Sequence, residues 1–119
     1  MVKPRQGDVY WVSFGKFEDS GPSGKRPAIV VQNDLLNQSN INTTIVVLLT
    51  SNLKLANVPG NILLKKGWAN LPKTSVVVVT QITTIDKSRL IEKIGKLTNE
   101  LTETISKACQ EIIRTISQS

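Results

Sequence analysis

Thr44-Ile45-Val46-Val47-Leu48-Leu49-Thr50 is the stretch on which the fold turns. Its β-branched and aliphatic side chains suit a pleated strand, and no polar residue interrupts them. A run this apolar cannot leave either face in water, so it predicts a central strand with something laid across its second face. Ser51-Asn52 closes it.

Reading toward the N-terminus, Ala28–Gln32 is a second apolar strand, entered through Lys25-Arg26-Pro27. Asp8-Val9-Tyr10-Trp11-Val12-Ser13-Phe14 is a third, with both faces covered near Tyr10 and Trp11. Between them Gly15 to Gly24 is rich in breakers and reads as a long, mobile hairpin loop of the kind that carries binding residues. Asn33 to Thr43 is polar and asparagine-rich, with Leu35, Leu36 and Ile41 as its expected anchors. Toward the C-terminus come a loop from Leu53 to Gly60, a short strand over Asn61–Lys65, and a buried strand over Ser75–Thr80 continued by Gln81–Asp86. Residues 88–95 fit a helical turn at Leu90, Ile91 and Ile94 and a strand on the approach to Gly95. Thr98 is placed to cap a final helix, and Leu101, Ile105, Ala108, Ile112 and Ile116 recur on one face of it. Cys109 lies beside that stripe and reads as packing. Many short strands, breaker-rich loops and one terminal amphipathic helix predict a small, strongly bent antiparallel sheet or partly open barrel, mainly β, in a single domain over residues 1–119.

Composition narrows the chemistry. Histidine is absent, which removes any imidazole base, His-dependent nucleophile relay or His-ligated zinc site. One cysteine allows no internal disulfide and no cysteine metal cluster. The formal charge is +6 and unevenly spread: residues 1–96 carry thirteen Lys and Arg against six Asp and Glu, whereas residues 97–119 carry two against three. The strand-rich part is therefore the part a polyanion or an acidic protein would approach. No apolar run is long enough to cross a bilayer, and residues 1–15 hold no signal-peptide hydrophobic segment.

Arginine, lysine and hydroxyl chemistry remain. Pro27 holds Arg26 out of the helical region, giving its guanidinium a defined backbone beside a buried strand. Thr50 and Ser51 end the central strand where Arg26 begins its own, and antiparallel pairing allows those ends to meet. There Arg26 could neutralise a phosphorane-like transition state while Thr50 and Ser51 donate to the same phosphate. RNA carries its own nucleophile, the 2′-hydroxyl, and needs no metal for that step. Each feature alone also has an ordinary reading, a solvated cation and a hydroxyl at a strand end.

Four segments in order carry a resemblance: Gly7-Asp8-Val9-Tyr10-Trp11, Gly24-Lys25-Arg26-Pro27-Ala28-Ile29-Val30-Val31-Gln32-Asn33-Asp34, Ile45–Leu49 into Thr50-Ser51, and Gln81-Ile82-Thr83-Thr84-Ile85-Asp86-Lys87-Ser88-Arg89-Leu90. From about residue 5 to the terminal helix the chain resembles the MazF/PemK family of toxin endoribonucleases. The resemblance implies a small SH3-like barrel with appended helices, forming a cytoplasmic homodimer. It implies cofactor-free, metal-independent cleavage of single-stranded RNA at short specific sequences, leaving a 2′,3′-cyclic phosphate and a 5′-hydroxyl. An acidic cognate antitoxin is the implied protein partner. The family's catalytic arginine falls on Arg26 and its strand-end threonine on Thr50, while Glu18 loosely matches a functional glutamate in the mobile loop. Lys25, Ser51, Lys54 and Gln81 are the expected RNA contacts, with Trp68 either a base-stacking residue or part of a core or interface. Thr80 stands where many relatives have an acidic residue, and Thr83 where they have arginine. Relatives that use that acidic residue as general base are therefore no guide to the mechanism here. Two other classes share the fold expectation: a toxin-fold protein that binds a protein target such as a topoisomerase, and a non-catalytic RNA-binding or SH3-like interaction module.

Overall fold

A computed structural model describes residues 3–14 and 24–117. Six strands form one antiparallel sheet: β1 (Asp8–Ser13), β2 (Lys25–Val30), β3 (Thr43–Thr50), β4 (Ile62–Leu64), β5 (Ser75–Asp86) and β6 (Leu90–Lys96). Their order is β4-β5-β3-β2-β1-β6, which places the Thr44–Thr50 run inside the sheet, as its lack of polar residues requires. The sheet is curled into a half-barrel, and β4 and β6 remain as its two edges.

Curvature comes from β5. Opposite β3, Ile82 pairs with Val47 but Val77 pairs with Leu49, so β5 inserts extra residues into the ladder and bends there. What reads as two segments in sequence is thus one twelve-residue strand folded around a bulge, its first half also pairing with β4. The ambiguous residues 88–95 resolve into a short turn, Lys87–Arg89, followed by β6.

Both faces of the sheet are covered. One carries Val9, Ile29, Val47, Leu49, Val77 and Val79 beneath helix α2 (Asn99–Ile113), which contributes Ile105 and Cys109. Tyr10, Val12, Ala28, Val30, Val46 and Ile85 form a second cluster on the opposite side of the curl. Thr98 caps α2, its Oγ1 accepting from the Leu101 N–H at 3.2 Å. Burial pushes the Cys109 thiol above its ordinary pKa, as expected of a packing residue. The predicted stripe does not stay covered to its end: Ile112 and Ile113 are exposed in the last turn, and Ile116 is exposed beyond it.

The Asn33–Thr43 connection is anchored differently from the expectation. Leu35 is 85% exposed, and Leu36 and Ile41 also lie on the surface. The anchor is Asn37, at the end of the short helix α1 (Asp34–Asn37) and fully buried. Its Nδ2 donates to the Gln32 carbonyl at 2.8 Å, and its Oδ1 accepts from Gln32 Nε2 and Thr44 Oγ1, both at 2.9 Å. The Lys87 ammonium, also buried, donates to the Asn37 carbonyl at 3.1 Å. A buried amide satisfied in this way ties β2, β3 and the end of β5 together more specifically than exposed aliphatic side chains can. Among the described residues no helix is long and apolar enough to cross a membrane.

Candidate active site groove

The second strand begins earlier than its apolar run predicts, at Lys25 rather than Ala28, and passes through Pro27. Hydrogen-bond parity explains how the sheet accepts a proline there. Phe14 donates to the Gly24 carbonyl at 2.7 Å, so the even-numbered residues of β2 are the ones that bond toward β1, Arg26 opposite Val12 among them. Val31 donates to the Ile45 carbonyl at 2.9 Å, so the odd-numbered residues bond toward β3. Pro27 is odd and has no N–H to give. The β2–β3 ladder accordingly ends at Ala28 opposite Leu48.

Beyond that point β2 stays paired to β1 while β3 continues to Thr50. Extending the register sets Arg26 across from Thr50 on one face of the sheet, with Ala28 and Leu48 as the last formal pair. Where the ladder stops, a groove of about 400 Å³ opens. Lys25, Arg26 and Pro27 line it from β2, and Leu49, Thr50 and Ser51 from the end of β3. Trp11 of β1 and the segment Leu71-Pro72-Lys73, with Ser75 at the start of β5, complete it.

Each polar group has a defined state. Thr50 is half-buried, and its Oγ1 accepts from the Asn52 N–H at 3.2 Å, leaving the hydroxyl proton free to be donated outward. Arg26 is exposed and has no ion pair among the described residues. The Lys25 ammonium lies 5.0 Å from the centroid of the Trp11 ring, a cation–π contact that holds a flexible side chain over the groove. Lys25, Arg26 and Lys73 bring three positively charged residues to the lining, and among the described residues no carboxylate lines it. Such a surface selects an anion with planar, multidentate oxygens, as a phosphodiester has. Among the described residues no cluster of His, Cys, Asp and Glu is arranged to hold a metal ion.

Of the residues singled out in sequence, the structure brings Arg26, Thr50, Ser51 and Lys25 to one groove. Lys54 is exposed in a 3₁₀ turn over Leu53–Asn57, where a loop was expected, and Gln81 is exposed in the bulged part of β5; neither lines the groove. Trp68 is also outside it, 40% exposed, with the Lys65 ammonium 5.8 Å from its ring. Glu18, and most of the loop that carries it, lie outside the described residues. The residues that sequence reasoning did not assign to the site are Trp11 and Lys73. The first strand was expected to have both faces covered near Tyr10 and Trp11; Tyr10 is buried, whereas Trp11 is only half-buried and lines the groove. No spacing in the sequence points to Lys73, which reaches the groove only because β5 folds back beside β3.

Residues 5–113 match the family described as PemK-like, MazF-like toxin of type II toxin-antitoxin system. The chain is 33% identical over 108 residues to endoribonuclease MazF6 of Mycobacterium tuberculosis, covering 91% of this chain and 95% of that protein. It is 34% identical over 104 residues to endoribonuclease MazF of Staphylococcus saprophyticus, covering 87% and 86%. In fold it is similar to a mycobacterial endoribonuclease solved in complex with its cognate antitoxin, with TM-score 0.71, 22% identity and 93% of each chain covered. A MazE–MazF crystal structure from Deinococcus radiodurans gives TM-score 0.72 at 18% identity, covering 95% of this chain and 97% of that one.

Proposed function

This chain belongs to the PemK-like, MazF-like family of toxins of type II toxin–antitoxin systems, and we propose that it is a sequence-specific, metal-independent endoribonuclease acting on single-stranded RNA. The observation that carries the reading is the convergence of Arg26, Thr50 and Ser51 on one groove with Lys25 and Lys73. In the proposed reaction the 2′-oxygen attacks the adjacent phosphorus and the bond to the 5′-oxygen breaks. A 2′,3′-cyclic phosphate and a 5′-hydroxyl result. Negative charge grows on the equatorial oxygens as the phosphorane forms, and a fixed guanidinium stabilises that charge more than the ground-state diester. Arg26 takes this role, with the Thr50 hydroxyl donating to the same group. Arginine holds its proton too tightly to act as a base. The 2′-hydroxyl proton is therefore assigned to the carboxylate of Glu18, and the departing 5′-oxygen takes a proton from solvent. Lys25, Ser51, Lys54 and Gln81 are the proposed RNA contacts.

The same reading makes the chain one toxin domain of SH3-like type, working as a cytoplasmic homodimer and neutralised by an acidic cognate antitoxin. Support for the partner comes from relatives solved as toxin–antitoxin complexes and from the +6 charge. The test is a long single-stranded RNA incubated with the protein in EDTA. Discrete fragments with 5′-hydroxyl ends are expected, and Arg26→Ala should lower the rate by about 10³-fold or more while leaving the fold intact. Thr50→Ala, which removes one hydrogen bond to a charged group, should cost about 10- to 100-fold. Intact RNA with the unaltered protein would instead point to a protein target or a binding-only module.

A further inference from the structure

Leu71-Pro72-Lys73 lines the groove together with Arg26 and Thr50, and how this segment is held in place is settled outside the groove. It belongs to the connection from β4 to β5. That connection reaches from one edge of the half-barrel to the other, where its 3₁₀ turn Trp68–Asn70 docks on β6. Internal hydrogen bonds make it one body. The Lys66 N–H donates to Thr74 Oγ1 at 3.1 Å, and the Gly67 N–H donates to the Leu71 carbonyl at 2.9 Å. Leu71 in turn donates to the Trp68 carbonyl at 2.9 Å, and its side chain is buried in the main core. A shift of the turn on β6 is therefore carried to the groove lining.

The dock on β6 has a defined construction. Val9 pairs with Gly95 and Tyr10 with Lys93, so Ile94 is an extra residue that bulges from the β1–β6 ladder. The Ile94 carbonyl accepts from Asn70 Nδ2 at 3.0 Å. Gly95, the next residue, lacks the Cβ that would overlap the Ala69 carbonyl oxygen, so the turn seats against bare backbone. Seating holds two non-glycine residues in the left-handed region, Ala69 at φ 50° and Asn70 at φ 60°. Asparagine visits that region with some ease, whereas alanine rarely does. Such backbone persists only where its surroundings over-determine it, and it clusters at functional sites. Asn70 itself is exposed, so its clasp on Ile94 is separate from the packed core.

We propose that Asn70 is a positioning residue, whose clasp on the β6 bulge fixes the β4–β5 connection and through it the groove lining against which the phosphodiester is aligned. The inference rests on the RNA-cleaving reading for its catalytic consequence. In-line attack tolerates little misplacement, a shift of about 1 Å costing up to about 10²-fold in rate. Two variants test it, and both can adopt the left-handed backbone. Asn70→Gly removes the amide, whereas Asn70→Asp keeps its size but sets an acceptor against the Ile94 carbonyl. Amide hydrogen exchange over residues 65–74, followed by mass spectrometry without RNA, should quicken by about 3- to 10-fold in Asn70→Gly and by more in Asn70→Asp. On a single-stranded RNA, kcat should fall by about 10-fold in Asn70→Gly and further in Asn70→Asp, with KM within about twofold of the parent. Unchanged exchange in both variants would show that Asn70 does not hold the connection. Quicker exchange at parental kcat would make the clasp merely structural, and a raised KM at parental kcat would make it a uniform binding contact. Each of these results overturns the proposal. RNA left intact by the parent protein removes the nuclease reading, and the positioning role with it, while exchange by itself still decides whether Asn70 clasps β6.

Discussion

Gly95→Ala should destabilise the protein sharply although Gly95 has an ordinary backbone conformation. A methyl group at position 95 of β6 would overlap the Ala69 carbonyl oxygen, stand 2.5 Å from the Ala69 carbonyl carbon and 3.1 Å from Asn70 Cβ. Carbon contacts are relaxed near 3.5–4.0 Å, so the 3₁₀ turn Trp68–Asn70 would have to retreat by about 1 Å or more. That turn cannot flex cheaply. Ala69 and Asn70 both already sit at positive φ (50° and 60°), and Asn70 Nδ2 donates to the Ile94 carbonyl at 3.0 Å. Overpacking of about 1–3 kcal/mol together with about 1 kcal/mol for the lost hydrogen bond gives a cost of about 2–4 kcal/mol. Urea unfolding followed by circular dichroism should show a midpoint lower by about 1–2 M. Gly67→Ala is the control. Gly67 has φ 92° and nothing within 4 Å of an added Cβ, so only the left-handed backbone is penalised, by about 1–2 kcal/mol. A Gly95→Ala midpoint equal to the parent, or a smaller loss than for Gly67→Ala, would refute the packing argument. Because the turn leads directly into Leu71-Pro72-Lys73, Gly95→Ala should also weaken nucleic-acid binding under conditions where the variant remains folded.

Asn37→Ala leaves the Gln32 carbonyl, Gln32 Nε2 and the Thr44 hydroxyl without their buried partner, and should lower stability by about 2–4 kcal/mol in the same urea experiment. Cys109 sets a pH dependence on the alkaline side. Its folded pKa is raised above the ordinary 9.0 by burial, so the folded state keeps the thiol proton longer than the unfolded state. Its contribution is complete below about pH 9 and is lost as the pH rises through the higher folded value. Cys109→Ala should therefore show a shallower fall in stability above pH 9 than the parent, read from melting temperatures across that range.

Much of this protein was legible in its sequence, because strands and helix caps answer to local chemistry. The uninterrupted apolar run of Thr44–Thr50 demanded a central strand, Thr98 with the apolar stripe after it demanded a capped helix, and the absence of histidine left arginine as the candidate for phosphate chemistry. The family motifs singled out Arg26 and Thr50 from positions whose residue types are individually ordinary. What only the tertiary structure decided is where chain segments far apart in sequence meet. Asn37 displaced three aliphatic side chains as the anchor of its loop because a buried amide with four partner groups is specific in a way that exposed leucines are not. Pro27 reads in sequence as the residue before a strand. Inside the sheet it is the missing donor that ends one ladder, and so opens the groove between Arg26 and Thr50. Trp11 joins that groove through its pairing with Pro27 across β1 and β2, and Lys73 because the start of β5 pairs with the end of β3, a long-range pairing for which no local pattern in either segment is a signal.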